Sequence, residues 1–289
     1  MEIKINQLVA RYQNKIALDI SQMAITKPGA YGIIGPNGAG KTTFFKCLAN
    51  IITNYSGEIT INDQSVAQKP AVLKNAGFVL DGVSLYRNQS GWFNIKYFSR
   101  LRGTFDQHKA NELANNIGLT KVLDQKVKTY SYGMQKKLIL MIALLNNPEL
   151  LVLDEPFRGL DVQTVTWFKT YLKDLVANAH LTLLISSHIK GEIEELCDQA
   201  YVLNEGQFIE VIDLQAGVNQ QLRLLDTSNN RRLETVLDEL NYKYDVLTDG
   251  RLVLSLKDQD LQILQKQLLQ NKIDIKEMSF FNALDHQLN

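Results

Sequence analysis

Residues 35–43 read Gly35-Pro-Asn-Gly-Ala-Gly-Lys-Thr-Thr43 and match the pattern G-x-x-x-x-G-K-[ST]. The apolar run at 30–34 before this stretch is typical of a buried parallel strand, and the spacing of apolar residues over 43–52 predicts a helix. The three glycines lack a Cβ, so backbone N–H groups can converge on an anion, and Lys41 adds a positive charge. Strand, loop and helix together therefore predict a phosphate-binding loop rather than a glycine-rich surface turn, with the Thr42 hydroxyl at Mg²⁺.

The composition argues against several classes of protein. Lys plus Arg and Asp plus Glu number 31 each, so the formal net charge is zero, whereas nucleic-acid-binding proteins normally carry a basic excess. Cys47 and Cys197 fall in helix-like apolar patterns and are expected to be core thiols in a reducing compartment. The N-terminus lacks the apolar region of a signal peptide, and the apolar run at 138–145 is far shorter than the roughly 20 residues that span a bilayer. We therefore expect a soluble chain.

The periodicity over residues 1–212 predicts an α/β domain. Short strand-like segments occupy 3–9, 16–23, 56–63 and 75–80, with Tyr12 in the turn between the first two. Helical patterns at 92–101, 107–117 and 134–145 predict a mostly helical insert over about 85–145. The continuous apolar runs at 150–153 and 181–185 indicate strands buried on both faces of a parallel sheet, and 200–211 has the pattern of a closing hairpin.

A second pattern follows a polar, linker-like stretch after Asp213. Residues 220–289 have the order β-α-β-β-α-β, which predicts a small α+β domain of the ferredoxin-like type. Within it, Thr248-Asp-Gly250 is a hairpin turn signal. The segment has no His/Cys cluster, basic stripe or glycine-rich loop, so we interpret it as a structural or docking module.

Two acidic residues, Asp154 and Glu155, follow the apolar run at 150–153. Open α/β sheets bind ligands at the carboxyl ends of their strands, where Asp154 can reach Mg²⁺ and Glu155 can accept a proton from water. The simpler interpretation is a pair of acids capping the next helix, but the loop at 35–43 predicts such a strand beside it. His188 follows the strand at 181–185 and, alone, would be structural. With these motifs present it is expected to contact the γ-phosphate.

A second anion site is predicted at residues 131–137, which read Ser131-Tyr-Gly-Met-Gln-Lys-Lys137 and open an amphipathic helix. Ser131 could serve only as a helix N-cap. A serine, a glycine and an exposed helix N-terminus also provide N–H donors and a positive dipole end for a phosphate.

These segments together resemble the ATP-binding subunit of an ATP-binding-cassette (ABC) transporter. The corresponding motifs are the Walker A loop (35–43), the signature loop (131–135), the Walker B strand (150–155), the D-loop (159–161) and the switch histidine (His188). They occur in the family's order and spacing over about residues 1–210. The Ser-x-Gly-Met signature and the small C-terminal domain are similar to subunits of ABC-2-type exporters, which move drugs, peptides, polysaccharides or ions through a separate permease.

The resemblance implies an ATPase that uses ATP and Mg²⁺, pairs with a second ATPase subunit in a homo- or heterodimer, and powers an integral-membrane permease. It places the chain in the cytoplasm, at the inner face of the cell membrane, with no nucleic-acid partner. Catalysis is assigned to Glu155 and His188, and Mg²⁺ coordination to Thr42, Asp81 and Asp154. Nucleotide binding is assigned to Tyr12, Asn37, Gly38, Ala39, Gly40, Lys41, Thr42, Thr43, Ser131, Gly133 and Asp161.

Three residues depart from the family pattern. Asp81 falls where the family has the Q-loop glutamine, Phe157 replaces a small residue, and Lys137 replaces a common arginine. Two other functions stay open: a soluble ABC ATPase acting on nucleic acid or ribosomes, and a non-hydrolysing regulatory cassette. Neutral charge and a single cassette disfavour the first, and the intact Lys41 and Glu155 disfavour the second.

Overall fold

The structure, a computed structural model, describes residues 1–12, 15–80, 85–178, 180–214, 222–256 and 258–281. By its internal contacts the chain divides into two compact units, Met1–Val211 and Ile212–Asn289. Each helix within the described ranges is too short or too polar to cross a membrane. Asp81, predicted as a metal ligand, lies outside the described residues.

The first unit contains ten strands and six α-helices among its described residues. The strands are β1 (Ile3–Tyr12), β2 (Lys15–Ile25), β3 (Gly29–Ile34), β4 (Tyr55–Ile61), β5 (Gln64–Ser65), β6 (Ala76–Val79), β7 (Leu150–Asp154), β8 (Thr182–Ser186), β9 (Gln199–Asn204) and β10 (Gln207–Asp213). The helices are α1 (Lys41–Leu48), α2 (Gly91–Arg102), α3 (Gln107–Asn116), α4 (Tyr132–Leu144), α5 (Val162–Asn178) and α6 (Lys190–Leu196).

The main sheet has the order β10-β9-β3-β8-β7-β6, and β9, β3, β8, β7 and β6 run parallel. Every residue of β7 and β8 is buried, as expected for strands covered on both faces. The register pairs Asp154 with Ser186, so β7 and β8 end side by side. The ends of β3, β7 and β8 therefore form one edge, at which the predicted site residues collect.

A second sheet of order β2-β1-β4-β5 packs on the other side of α1. Phe44 and Phe45 of α1 are fully buried in a core shared with β1, β4 and β7. The Phe44 ring meets that of Phe208 edge to face, with centroids 5.3 Å apart. Burial on both sides holds the Walker A helix rigidly below the loop that precedes it.

The helical insert comprises α2, α3 and α4. Ser90 caps α2 by accepting from the Phe93 N–H, and Ser131 caps α4 by accepting from the Met134 N–H. Most of α4 is buried, including Leu138, Leu140 and Met141, so its N-terminal end is the part that reaches the surface.

The second unit has the order β11 (Leu222–Thr227), α7 (Asn230–Glu239), β12 (Tyr244–Val246), β13 (Leu252–Ser255), α8 (Asp258–Gln270) and β14 (Ile275–Phe280). Its antiparallel sheet is ordered β12-β13-β11-β14. Leucines of both helices pack on one face of this sheet, among them Leu233, Leu237, Leu264 and Leu268. This order of elements is the βαββαβ pattern expected from the sequence.

Several predicted bounds were wrong. Tyr12 was expected in a turn but is the last residue of β1, paired with Lys15. The helix expected over 43–52 ends at Leu48, because Asn50 takes a left-handed backbone (φ 55°). The last strand was expected at 273–275 but begins at Ile275 and continues to Phe280, beside β11. Helices α5 and α6 were not predicted.

Candidate nucleotide-binding site

Two glycines of the Walker A loop are required by the surrounding backbone. Gly35 has a φ of 148°, and a Cβ there would lie 2.0 Å from the Leu203 carbonyl oxygen. Gly40 has a φ of 113°, and a Cβ there would lie 2.8 Å from the Ala17 carbonyl oxygen. The loop is thus wedged against β2 and β9, and only glycine fits these two positions without strain.

Lys41 opens α1 and lies across the mouth of the loop. Its Nζ donates to the carbonyl oxygens of Gly35 (2.6 Å) and Pro36 (3.1 Å). Burial lowers the pKa of the ammonium, and the carboxylates of Glu155 and Asp154 act in the opposite direction. Lys41 is therefore a half-buried cation at the point where helix dipole and loop N–H groups also favour an anion.

Asp154 ends β7 and is almost fully buried. Its carboxylate accepts a hydrogen bond from Thr42 Oγ1 and another from Ser186 Oγ, both at 2.6 Å. The first joins the Walker B strand to the Walker A helix, and the second joins β7 to β8. The two bonds orient the carboxylate toward the loop.

Glu155 has a left-handed backbone (φ 47°), held by its N–H, which donates to the carbonyl and to the hydroxyl oxygen of Ser186. Its carboxylate oxygen lies 2.8 Å from Nδ1 of His188. The His188 side chain is 61% exposed and that of Glu155 is 28% exposed, so the pair faces solvent at the edge of the sheet. The structure thus brings the two predicted catalytic residues together.

A cavity of about 650 Å³, here called the nucleotide cavity, lies along the Walker A loop. Its wall contains most of the residues predicted to bind nucleotide, together with both Walker B acids: Tyr12, Asn37, Gly38, Ala39, Gly40, Lys41, Thr42, Thr43, Asp154 and Glu155. Tyr12 is 53% exposed at one end, where a base could stack on its ring. The volume suits a nucleoside triphosphate.

Ser131, Gly133 and Asp161 are not among the described residues that line this cavity. The signature loop and the D-loop contact each other separately from this cavity. A Cβ on Gly133 would lie 2.9 Å from the Gly159 carbonyl oxygen, and the Tyr132 ring lies over Gly159.

An ion pair reinforces this contact. Lys137 Nζ lies 2.8 Å from Asp161 Oδ2, and Asp161 also accepts from the N–H and the hydroxyl of Thr164. The pKa of the Asp161 carboxyl is held well below its usual range. The hydrogen bond from Lys137 has the largest effect, and the two hydrogen bonds from Thr164 add to it.

The residues present fit Mg²⁺. Thr42 Oγ1 and Asp154 Oδ2 are adjacent hard oxygen donors beside the predicted phosphate position. Within the described ranges, no group of three or more His, Cys, Asp or Glu side chains is placed to hold a metal alone. Mg²⁺ commonly takes one or two protein ligands and completes its shell with phosphates and water, so this donor set is sufficient.

Ser186 was not identified from the sequence, although it bonds to both Walker B acids. The sequence does contain a feature that predicts this position. Ser186 directly follows the apolar run at 181–185, which is expected to form a parallel strand beside the one at 150–153. Lys15 and Glu205, which also line the nucleotide cavity, carried no local signal. Cys47 and Cys197 are free and buried, as predicted, and burial raises the pKa of the Cys47 thiol to about 12.

Comparison with known proteins identifies the family. Residues 18–158 match the family model described as ABC transporter. The solved structure of an ATP-binding subunit of an ABC transporter superposes with a TM-score of 0.67 at 22% identity, covering 76% of this chain and 93% of that one. At that identity the superposition supports the fold alone.

Curated relatives extend the match. The uncharacterized ABC transporter ATP-binding protein YcbN of Bacillus subtilis (strain 168) is 31% identical over 96% of this chain and 92% of its own length. The bacitracin transport ATP-binding protein BcrA of Bacillus licheniformis is 29% identical over the same shares. The lantibiotic transport ATP-binding protein SrtF of Streptococcus pyogenes is 33% identical over 72% of this chain and 89% of its own length. The chain therefore belongs to the ABC transporter family, as an ATP-binding subunit with an ABC ATPase domain.

Proposed function

We propose that this chain hydrolyses Mg-ATP as one of two paired subunits and thereby powers a separate membrane permease that exports a peptide cargo. The observation that carries the proposal is the Glu155 carboxylate, held beside His188 at the end of the nucleotide cavity where Thr42 and Asp154 meet. A carboxylate in this position can take the proton of an attacking water.

Each residue has a role in the proposed reaction that follows from its position at the nucleotide cavity. The loop N–H groups and Lys41 bind the β- and γ-phosphates, and Tyr12 stacks on the base. Thr42 and Asp154 would hold Mg²⁺, which when bound would neutralise phosphate charge during transfer of the γ-phosphoryl group. Glu155 accepts the water proton, while His188 orients that carboxylate and contacts the terminal phosphate.

Pairing supplies the other half of the site. Ser131 and Gly133 lie outside the nucleotide cavity of their own chain, at an α4 N-terminus where the Tyr132 side chain is 61% exposed. In the proposed dimer they face ATP held by Lys41 of the second subunit. These donors then act where negative charge develops in the transition state. Asp161 positions the two loops, because it bonds to Lys137 on α4.

The peptide cargo is proposed from the relatives that are named for lantibiotic and bacitracin transport. BcrA matches through the second unit as well, which supports a similar subunit architecture. The proposed location is the cytoplasmic face of the cell membrane, where ATP and the permease are both available.

Copurification tests the partner. The tagged full chain, isolated from its own cells in mild detergent, should retain an integral-membrane protein and show Mg²⁺-dependent ATPase activity. Cells with Lys41→Ala should accumulate a lantibiotic or bacitracin that wild-type cells export. Recovery of ribosomes or RNA in place of a membrane protein would support the nucleic-acid alternative. Absence of hydrolysis by the partner-bound wild type would support the regulatory one.

A further inference from the structure

A second cavity, of about 390 Å³, adjoins the nucleotide cavity. It is lined by Thr42, Tyr132, Lys136, Asp154, Glu155 and Arg158. Thr42, Asp154 and Glu155 line both cavities, so the two cavities meet at the residues predicted to surround the terminal phosphate. Two cations from different elements, Lys136 on α4 and Arg158 after β7, complete its wall.

The backbone around Arg158 is held in place. The preceding Phe157 is buried, with Lys169 Nζ 6.0 Å from its ring centroid, and the Leu160 N–H donates to the Phe157 carbonyl. The large side chain that departs from the family pattern thus anchors the turn that presents Arg158 to the cavity.

The guanidinium of Arg158 is available to a ligand. Arg158 is exposed, and among the residues that the structure describes it has no hydrogen-bond or ion-pair partner. Glu155, which shares the cavity, is bonded to His188 instead. Lys136 is 7% exposed and adds a second, largely buried positive charge. A planar guanidinium with five donors matches the geometry of a phosphate.

The chemistry of hydrolysis directs a phosphate toward this side. Water attacks the γ-phosphorus in line: its oxygen bonds to phosphorus, its proton passes to Glu155, and the bond to the β-phosphate bridging oxygen breaks with its electron pair on ADP. The phosphoryl group moves toward the attacking water, away from ADP. Because Glu155 borders the second cavity, the product phosphate is displaced toward Lys136 and Arg158.

We propose that the second cavity is a binding site for the phosphate released by hydrolysis, with Arg158 as its principal ligand and Lys136 as a second cation. This inference rests on the proposed function, because it requires that ATP be hydrolysed at the neighbouring cavity. Arg158 retains the product and sets the rate at which phosphate leaves; it takes no part in proton transfer.

Calorimetry on the full chain loaded with Mg-ADP tests the site, with inorganic phosphate as the titrant. Arg158→Ala should weaken phosphate binding at least tenfold, and Arg158→Lys should weaken it less, because lysine keeps the charge but loses the fork of donors. Arg231→Ala, an exposed arginine in the second unit, is the matched control and should bind phosphate like wild type. ADP affinity within twofold of wild type shows that each variant is folded.

A second titration, with ATP, tests whether Arg158 binds the free phosphate product or the γ-phosphate of bound ATP. In a Glu155→Gln background, Arg158→Ala should leave ATP affinity within twofold. A tenfold loss of ATP affinity with unchanged phosphate binding would overturn the proposal and place Arg158 on the bound triphosphate. Equal phosphate binding by wild type and Arg158→Ala, or none by wild type, would also overturn it. Phosphate production by wild type tests hydrolysis separately. A failure of the proposed phosphate site can therefore be told apart from a failure of the proposed ATPase function.

Discussion

Glu155 combines an unusual backbone with a partly exposed carboxylate, and both features depend on its neighbours in space. The left-handed φ of 47° is compensated by two hydrogen bonds from its N–H to Ser186. A non-glycine residue in this region is uncommon, and such strain concentrates at functional sites.

We predict that Glu155→Gln keeps ATP binding and lowers the hydrolysis rate at least about a hundredfold, because an amide cannot accept the water proton. Phosphate release under saturating Mg-ATP and nucleotide affinity by calorimetry measure the two effects. Glu58→Gln, on an exposed strand position, is the matched control and should be neutral. Hydrolysis within a few fold of wild type would remove Glu155 as the base.

Ser186→Ala should reduce both stability and the response to Mg²⁺. The buried hydroxyl donates to the Asp154 carboxylate, and its loss leaves a buried charge with one donor fewer, at a cost of about 2 kcal/mol in the free energy of unfolding. Urea unfolding measures that cost as a shift in the midpoint, provided that the dependence of the free energy of unfolding on urea concentration is the same in both proteins. The free Mg²⁺ concentration for half-maximal ATPase rate should rise, since the carboxylate is less firmly oriented.

Ser99→Ala is the control for this substitution. Ser99 is equally buried, but its hydroxyl donates to the neutral Asn146 amide, away from the nucleotide cavity. It should cost less stability and leave the Mg²⁺ response unchanged. Equal Mg²⁺ curves for Ser186→Ala and wild type would show that Ser186 only stabilises the sheet edge.

At the scale of elements, Asp161 joins two helices: it accepts from Thr164 at the start of α5 and pairs with Lys137 on α4. Asp161→Asn keeps a good N-cap and removes the charge. We expect it to lower the free energy of unfolding by less than about 1 kcal/mol at pH 7, because the pair is partly exposed. Asp106→Asn, at the α3 N-cap without an ion pair among the described residues, is the control.

The pH dependence has a definite sign. The folded-state pKa of Asp161 is depressed, so its contribution to stability is present above the ordinary aspartate pKa and is lost as the pH falls toward the folded value. The difference in stability between wild type and Asp161→Asn should therefore shrink below about pH 4. A difference that stays constant from pH 7 to pH 3 would contradict the ion pair.

At the scale of the whole molecule, the first unit should bind nucleotide by itself. A chain of residues 1–213 keeps β10 entire and contains every described residue of both cavities. We expect Mg-ATP affinity within about threefold of the full chain, with the loss appearing in dimer stability or permease pairing. Calorimetry and sedimentation measure these separately. Lost nucleotide binding by a truncated chain with native circular dichroism would contradict this division.

The elements show how far sequence patterns carry. Buried strands such as β7 and β8 were predicted because strands covered on both faces of a parallel sheet carry continuous apolar runs. Helix α5 was missed, although Thr164, Phe168 and Leu172 line its buried face at helical spacing. The ends of α1 and β14 were wrong because backbone strain at Asn50 and pairing with β11 decide them.

The sequence by itself determined the Walker A loop, the order of elements in the second unit and the residue types of the site. These features depend on residues that are close in the sequence. The loop depends on the backbone freedom of its glycines, and the elements depend on the spacing of apolar residues. Only the tertiary structure decided which side chains meet. Thr42 and Asp154 are 112 positions apart and lie in contact because β7 ends beside the loop, and Ser186 joins them through the register of β8. Arg158 reaches the second cavity because Phe157 is buried, and burial is a property of the packed molecule.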